Sequence, residues 1–182
     1  MSAVKAYAAT SARTSPEPSV TKNGFLNMRP KTLPVLAMAL LAGCASPQGD
    51  LTKLAEQRLS MSRDIAWAKH SANLPVYDPQ RETTVLQTMM AAGQQQGLPP
   101  DTVRRFFAAE MEASRRVQWA WIEAWRKNRA PAPTGVARDL GAYWRPQIDS
   151  INQRQIRALA RGARPLTVDQ LSALGARFLP KN

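Results

Sequence analysis

The chain has 182 residues, with 25 lysines and arginines against 13 acidic residues, one cysteine, one histidine and a formal net charge of +12. A single cysteine excludes an intramolecular disulfide. His70, the only histidine, has nothing near it in sequence that suggests a triad or a metal site, and it reads as a helix-surface residue beside Lys69. The basic excess points to an anionic partner, whether nucleic acid, an acidic membrane surface or a small anionic ligand, although a solvated basic surface accounts for most charge of this kind.

The first segment has the layout of an export signal. From Met28 the sequence runs MRPKTLPVLAMALLAGCAS, with basic Arg29 and Lys31, an apolar stretch over 33–42 and small residues before a cleavage point. That apolar stretch is too short to span a bilayer, which takes about 20 residues. Leu41-Ala42-Gly43-Cys44 resembles the lipobox of bacterial lipoproteins, in which the cysteine is acylated and becomes the new N-terminus; the plainer alternative is a buried cysteine after an ordinary signal, in a secreted protein. Two or more acyl chains at Cys44 would hold the protein stably on a membrane. A residue other than aspartate after the cysteine, here Ala45, usually accompanies outer-membrane sorting. Residues 1–27 are polar and precede a second methionine, so Met28 is the expected start, the alternative being an unusually long n-region. We therefore divide the chain into an export-signal region at 1–43, a lipidated cysteine and short linker at 44–50, and one domain at 51–182.

Setting aside residues 1–44, which hold five basic residues and one acidic residue, leaves 138 residues with 20 basic against 12 acidic. That length suits one domain rather than two. Strand-like alternation is absent, and glycine and proline fall between periodic stretches, so the expected class is all-α with about five helices. The first is expected over 51–71. The second follows the loop 73–77, with Asp78 as N-cap and Pro79 at the first helical position, and ends at Gly97. A long third helix opens at Pro99-Pro100-Asp101 and reaches about residue 128, presenting Phe106, Phe107, Met111, Val117, Trp121, Ile122 and Trp125 as an apolar face. After the proline-rich APAPTG segment a fourth helix is expected over 136–161, and Thr167 reads as the cap of a short last one.

Across the first three helices lie Arg58, Lys69, Asp78, Arg81, Glu82, Ser114 and Gln118, at intervals of 11, 9, 3, 1, 32 and 4. Arg58 and Lys69 share one helix face about 16 Å apart along the axis, a span over which two long side chains can grip opposite ends of a ligand. Ser114 and Gln118 likewise share a face. Singly, each residue has a plainer reading: solvated cations, Asp78 as a cap, Glu82 favouring the helix dipole.

Together, the segment RLSMSRDIAWAKHSANLPVYDPQRE and the later GLPPDTVRRFFAAEMEASRRVQ resemble the exported branch of the all-helical chorismate mutase family, over about residues 50–157. The stretch WRPQIDSINQRQI resembles that branch specifically and adds Arg145 as an eighth site residue contributed by the same chain. The resemblance implies conversion of chorismate to prephenate without metal, cofactor or covalent intermediate. It implies that Arg58, Arg81 and Arg145 hold two carboxylates and that Lys69 and Gln118 donate to the ether oxygen. Glu82, with the backbone near Asp78, would accept from the ring hydroxyl, and Ser114 would support a carboxylate or orient its neighbours. A homodimer is expected from the family. Some exported members carry a C-terminal disulfide, which this chain lacks. An alternative from another class is a lipid-anchored, non-catalytic module that binds anionic ligands through Arg104-Arg105, Arg115-Arg116 and the cluster Arg126, Lys127 and Arg129. No nucleic-acid-binding motif accompanies these, and a nucleic-acid partner is not expected.

Overall fold

The computed structural model describes residues 46–181; the export-signal region, Cys44 and Ala45 lie outside them. The described residues are all-helical, with six α-helices: α1 Pro47–Ser60, α2 Ser62–Ser71, α3 Pro79–Gln94, α4 Pro100–Arg126, α5 Arg145–Ala160 and α6 Val168–Ala176.

Three departures from the expected boundaries have local causes. The helix expected over 51–71 starts earlier, inside the stretch read as linker, because Ser46 caps it through the Gly49 amide and Pro47 occupies the first turn. It is also divided at Met61, next to a Ser60 hydroxyl that donates back to the Gln57 carbonyl at 2.7 Å, a local bond that competes with the helix ladder. The helix expected from residue 136 starts later. Asp139 caps a π-helical turn, Leu140–Trp144, by accepting from the Ala142 amide, and this turn runs into α5.

Four helices end in the same way. Asn73, Gly97, Asn128 and Gly162 take positive φ values of 53°, 76°, 54° and 95°. In each case the following amide bonds a carbonyl five residues back, as Leu98 does to Gly93 at 2.9 Å and Leu74 to Lys69 at 2.8 Å. This pairing satisfies carbonyls that a helix end would otherwise leave bare. At the other ends, Asp78 caps α3 and Thr167 with Gln170 forms a reciprocal capping box on α6, as the sequence pattern predicts.

The 27-residue α4 is the spine, packed by α2, α3 and α6, while α1 lies against α5 and α6. Leu51, Leu59, Val103, Phe106, Phe107, Ile156, Leu159 and Leu171 form the main core. α3 comes so close to α4 that a Cβ on Gly93 would stand 2.7 Å from a Val103 methyl group. A second cluster joins Ala66, Val76, Ile122 and Trp125. The apolar face read on the long third helix is thus core. His70 differs from its surface reading: it is half-buried, with its ring centroid 6.0 Å from those of Trp67 and Trp125.

Candidate active site

All eight sequence-predicted site residues line one cavity of about 180 Å³: Arg58 from α1, Lys69 from α2, Asp78, Arg81 and Glu82 at the start of α3, Ser114 and Gln118 from α4, and Arg145 from α5. At roughly 30 Å³ per water it has room for about six waters, the scale of a small organic ligand. Ile65, Val76, Val85, Met111, Leu140 and Ile148 supply apolar wall. Asp78 keeps its capping bond, accepting from the Arg81 amide at 2.9 Å. That bond fixes the first turn of α3, on which Arg81 and Glu82 sit.

The charges are held from behind. Buried Arg58 donates through Nε to Asn152 Oδ1 at 3.2 Å and stands 3.4 Å from Glu110 Oε2. Its Nη1 is buried with no partner among the described residues, which leaves a guanidinium donor for an anion. Glu110 is fully buried and accepts from Gln155 Nε2 at 2.6 Å. Burial pushes its carboxyl above the ordinary value, against the opposing effects of Arg58 and Gln155. Lys69 donates to the Val76 carbonyl at 2.7 Å. Burial lowers its pKa; Glu82 and Asp78 resist that, and Arg145 and Arg115 add to it.

Sequence reasoning missed four members of this arrangement. Glu110 follows Phe106 and precedes Ser114 by four residues each, so helical spacing alone placed a carboxylate on the buried face. Gln155 and Asn152 mark the matching face of α5. Arg115, read as part of a basic surface, instead lines the cavity and bridges Glu82 and Glu112. It also lies 4.9 Å over the Tyr77 ring. Nothing in the local pattern distinguishes it from its exposed neighbour Arg116.

Most cations of the alternative binding surface have acidic neighbours. Arg104 pairs with Asp101 at 3.3 Å, Arg116 with Glu112 at 3.0 Å, and Lys127 and Arg129 with Glu123 at 2.5 and 3.5 Å. A separate groove of about 310 Å³ between α1 and α5 carries Lys53, Arg154, Arg157 and Arg161, all exposed, with Asp50 opposite Arg161 at 3.1 Å.

Residues 49–119 match the Chorismate mutase type II family. The chain is 30% identical to a monofunctional chorismate mutase of Enterobacter agglomerans, over 62% of this chain and 61% of that protein. It is 31% identical to a secreted chorismate mutase of Mycobacterium tuberculosis, over 61% of this chain and 55% of that protein. The alignments therefore span less than two thirds of these curated relatives. Among solved structures, a chorismate mutase from Burkholderia thailandensis superposes with a TM-score of 0.60 at 35% identity, covering 63% of this chain and 72% of that one. On the residues matched, the shared helical architecture and the extent of that structural relative covered, the chain belongs to the chorismate mutase type II family.

Proposed function

We propose that this protein converts chorismate to prephenate, and that it does so outside the cytoplasm. The observation that carries the reading is the charge balance of the cavity. Five cations (Arg58, Lys69, Arg81, Arg115 and Arg145) face three carboxylates (Asp78, Glu82 and Asp149). The surplus of two positive charges complements a dicarboxylate, and the apolar wall suits its ring.

The rearrangement breaks a carbon–oxygen ether bond as a carbon–carbon bond forms, with no proton transfer. Two tasks follow. The substrate must be held in its compact conformation, and negative charge growing on the ether oxygen must meet donors already in place. Arg58, Arg81 and Arg145 take the carboxylates through charge-assisted bonds worth ~1.5–3 kcal/mol each. The unpartnered Arg58 Nη1 is the group such a carboxylate satisfies. Lys69 and Gln118 donate to the ether oxygen. Glu82, held by Arg115, accepts from the ring hydroxyl.

Export, a lipid anchor at Cys44 and placement at the outer membrane belong to the same proposal. The signal layout before Cys44 and the description of relatives as secreted support export; the anchor rests on Leu41-Ala42-Gly43-Cys44 alone. A homodimer is proposed by likeness to the family. The test is direct: purified protein is mixed with chorismate and the loss of its ultraviolet absorbance is followed. Steady consumption with prephenate as product is expected, and an inert preparation with intact helical circular dichroism overturns the assignment.

A further inference from the structure

Behind the cavity, Ser62 on α2 is fully buried and takes no part in lining the site. Its Oγ lies 2.9 Å from Ser114 Oγ, its one hydrogen-bond partner among the described residues. Ser114 Oγ in turn lies 3.0 Å from Gln118 Nε2. With the amide in that orientation one N–H of Nε2 is given to Ser114, and Gln118 Oε1 is buried without a partner.

The two ends of an amide are nearly isosteric, and the surrounding donors and acceptors decide which end faces where. A hydroxyl carries one proton. If Ser114 gives its proton to Ser62, the Ser62 proton has no acceptor in a fully buried place, at a cost of about 1–3 kcal/mol. If Ser62 donates to Ser114, the Ser114 proton needs an acceptor, and the Gln118 carbonyl oxygen supplies one once the amide is turned over. Each hydroxyl proton is then used, and the Gln118 amino group, with both N–H donors free, takes the unpartnered place of Oε1 on a residue that lines the cavity.

We propose that Ser62 is a positioning residue for the reaction: through Ser114 it sets the amide of Gln118 so that its N–H groups, not its oxygen, meet the substrate. This rests on the function proposed above. Ser62 touches no substrate, and its effect passes entirely through the orientation of one side chain.

The test is a double-mutant cycle on the purified protein, with chorismate turnover, KM and thermal midpoint measured for each variant. Ser62→Ala is expected to lower kcat by about tenfold, the scale of one net hydrogen bond, with KM little changed. Added to Gln118→Leu, which has no amide to orient, Ser62→Ala is expected to cost nothing further. Ser62→Cys keeps the volume with a weaker donor, folds if the alanine variant does not, and is expected to fall between wild type and Ser62→Ala. Wild-type turnover in Ser62→Ala or Ser62→Cys overturns the proposal, as does an equal loss in the Gln118→Leu background, which would mark a general packing role. Wild-type protein that leaves chorismate untouched removes the functional reading itself, a result separable from either of these.

Discussion

The cavity and the α1–α5 groove are both lined by arginine, and the groove is the larger, yet they are built differently. In the cavity Arg58 is buried against Asn152 and Glu110, Arg115 is clamped between Glu82 and Glu112, and Lys69 is tied to the Val76 carbonyl. In the groove Lys53, Arg154 and Arg157 extend into solvent with no ion-pair partner among the described residues. A cation held by fixed neighbours meets a ligand without first losing rotamer freedom, whereas a solvated one must be ordered and desolvated at the moment of binding. Composition alone ranks these two surfaces as equals, and the layer of partners behind the charges separates them.

Substitutions at three places probe that difference. The largest effect is expected at Glu110→Ala, which leaves Arg58 without its buried counter-ion and should cost about 3–5 kcal/mol of stability in denaturant unfolding; a loss below 1 kcal/mol would place the Arg58 brace elsewhere. Glu110→Gln keeps the shape and removes the titration. Because the folded pKa of Glu110 is raised, its contribution to stability is present below the ordinary 4.5 and is lost as pH rises through the folded value. The glutamine variant should therefore gain on wild type as pH increases from about 4.5.

Next comes Lys69→Ala, expected to raise the barrier by ~3–4 kcal/mol, the scale of one aimed donor. In the proposed reaction the ammonium form is the donor, and burial lowers its pKa, so turnover should fall with rising pH before the 10.5 of an ordinary lysine is reached. A near-normal rate in the alanine variant, or a profile flat to that pH, would remove Lys69 from the reaction.

The smallest effect is expected for Arg154→Gln with Arg157→Gln. Turnover should be unchanged and stability should move by no more than about 0.5 kcal/mol. A fall in kcat/KM comparable with that of a cavity variant would erase the distinction between the two surfaces.

The helices were legible where local chemistry acts alone. Asp78 with Pro79, Thr167 with Gln170 and the positive-φ Gly97 declare their helix ends in the sequence. The break at Met61 and the late start of α5 were not, since they turn on a serine bonding backward and on a cap at Asp139 that competes with the periodicity before it. The cavity's lining was readable from spacing and from resemblance. Its backing was not, because Arg58–Glu110–Gln155 joins three helices, and no single stretch records which face of α5 meets which face of α4.

The loop between α2 and α3 adds a constraint of a different kind. The cavity's Lys69 is oriented by the main-chain oxygen of Val76, and the loop leaves α2 through a left-handed Asn73 and enters α3 through the Asp78 cap. Its length is therefore fixed at both ends, whereas Leu74 and Tyr77 are about half-exposed and only part of each side chain is packed. In a library covering residues 73–78, one-residue insertions and deletions should be purged more strongly than side-chain substitutions at Leu74 and Tyr77. Here the conserved quantity would be a distance along the chain rather than the identity of a side chain.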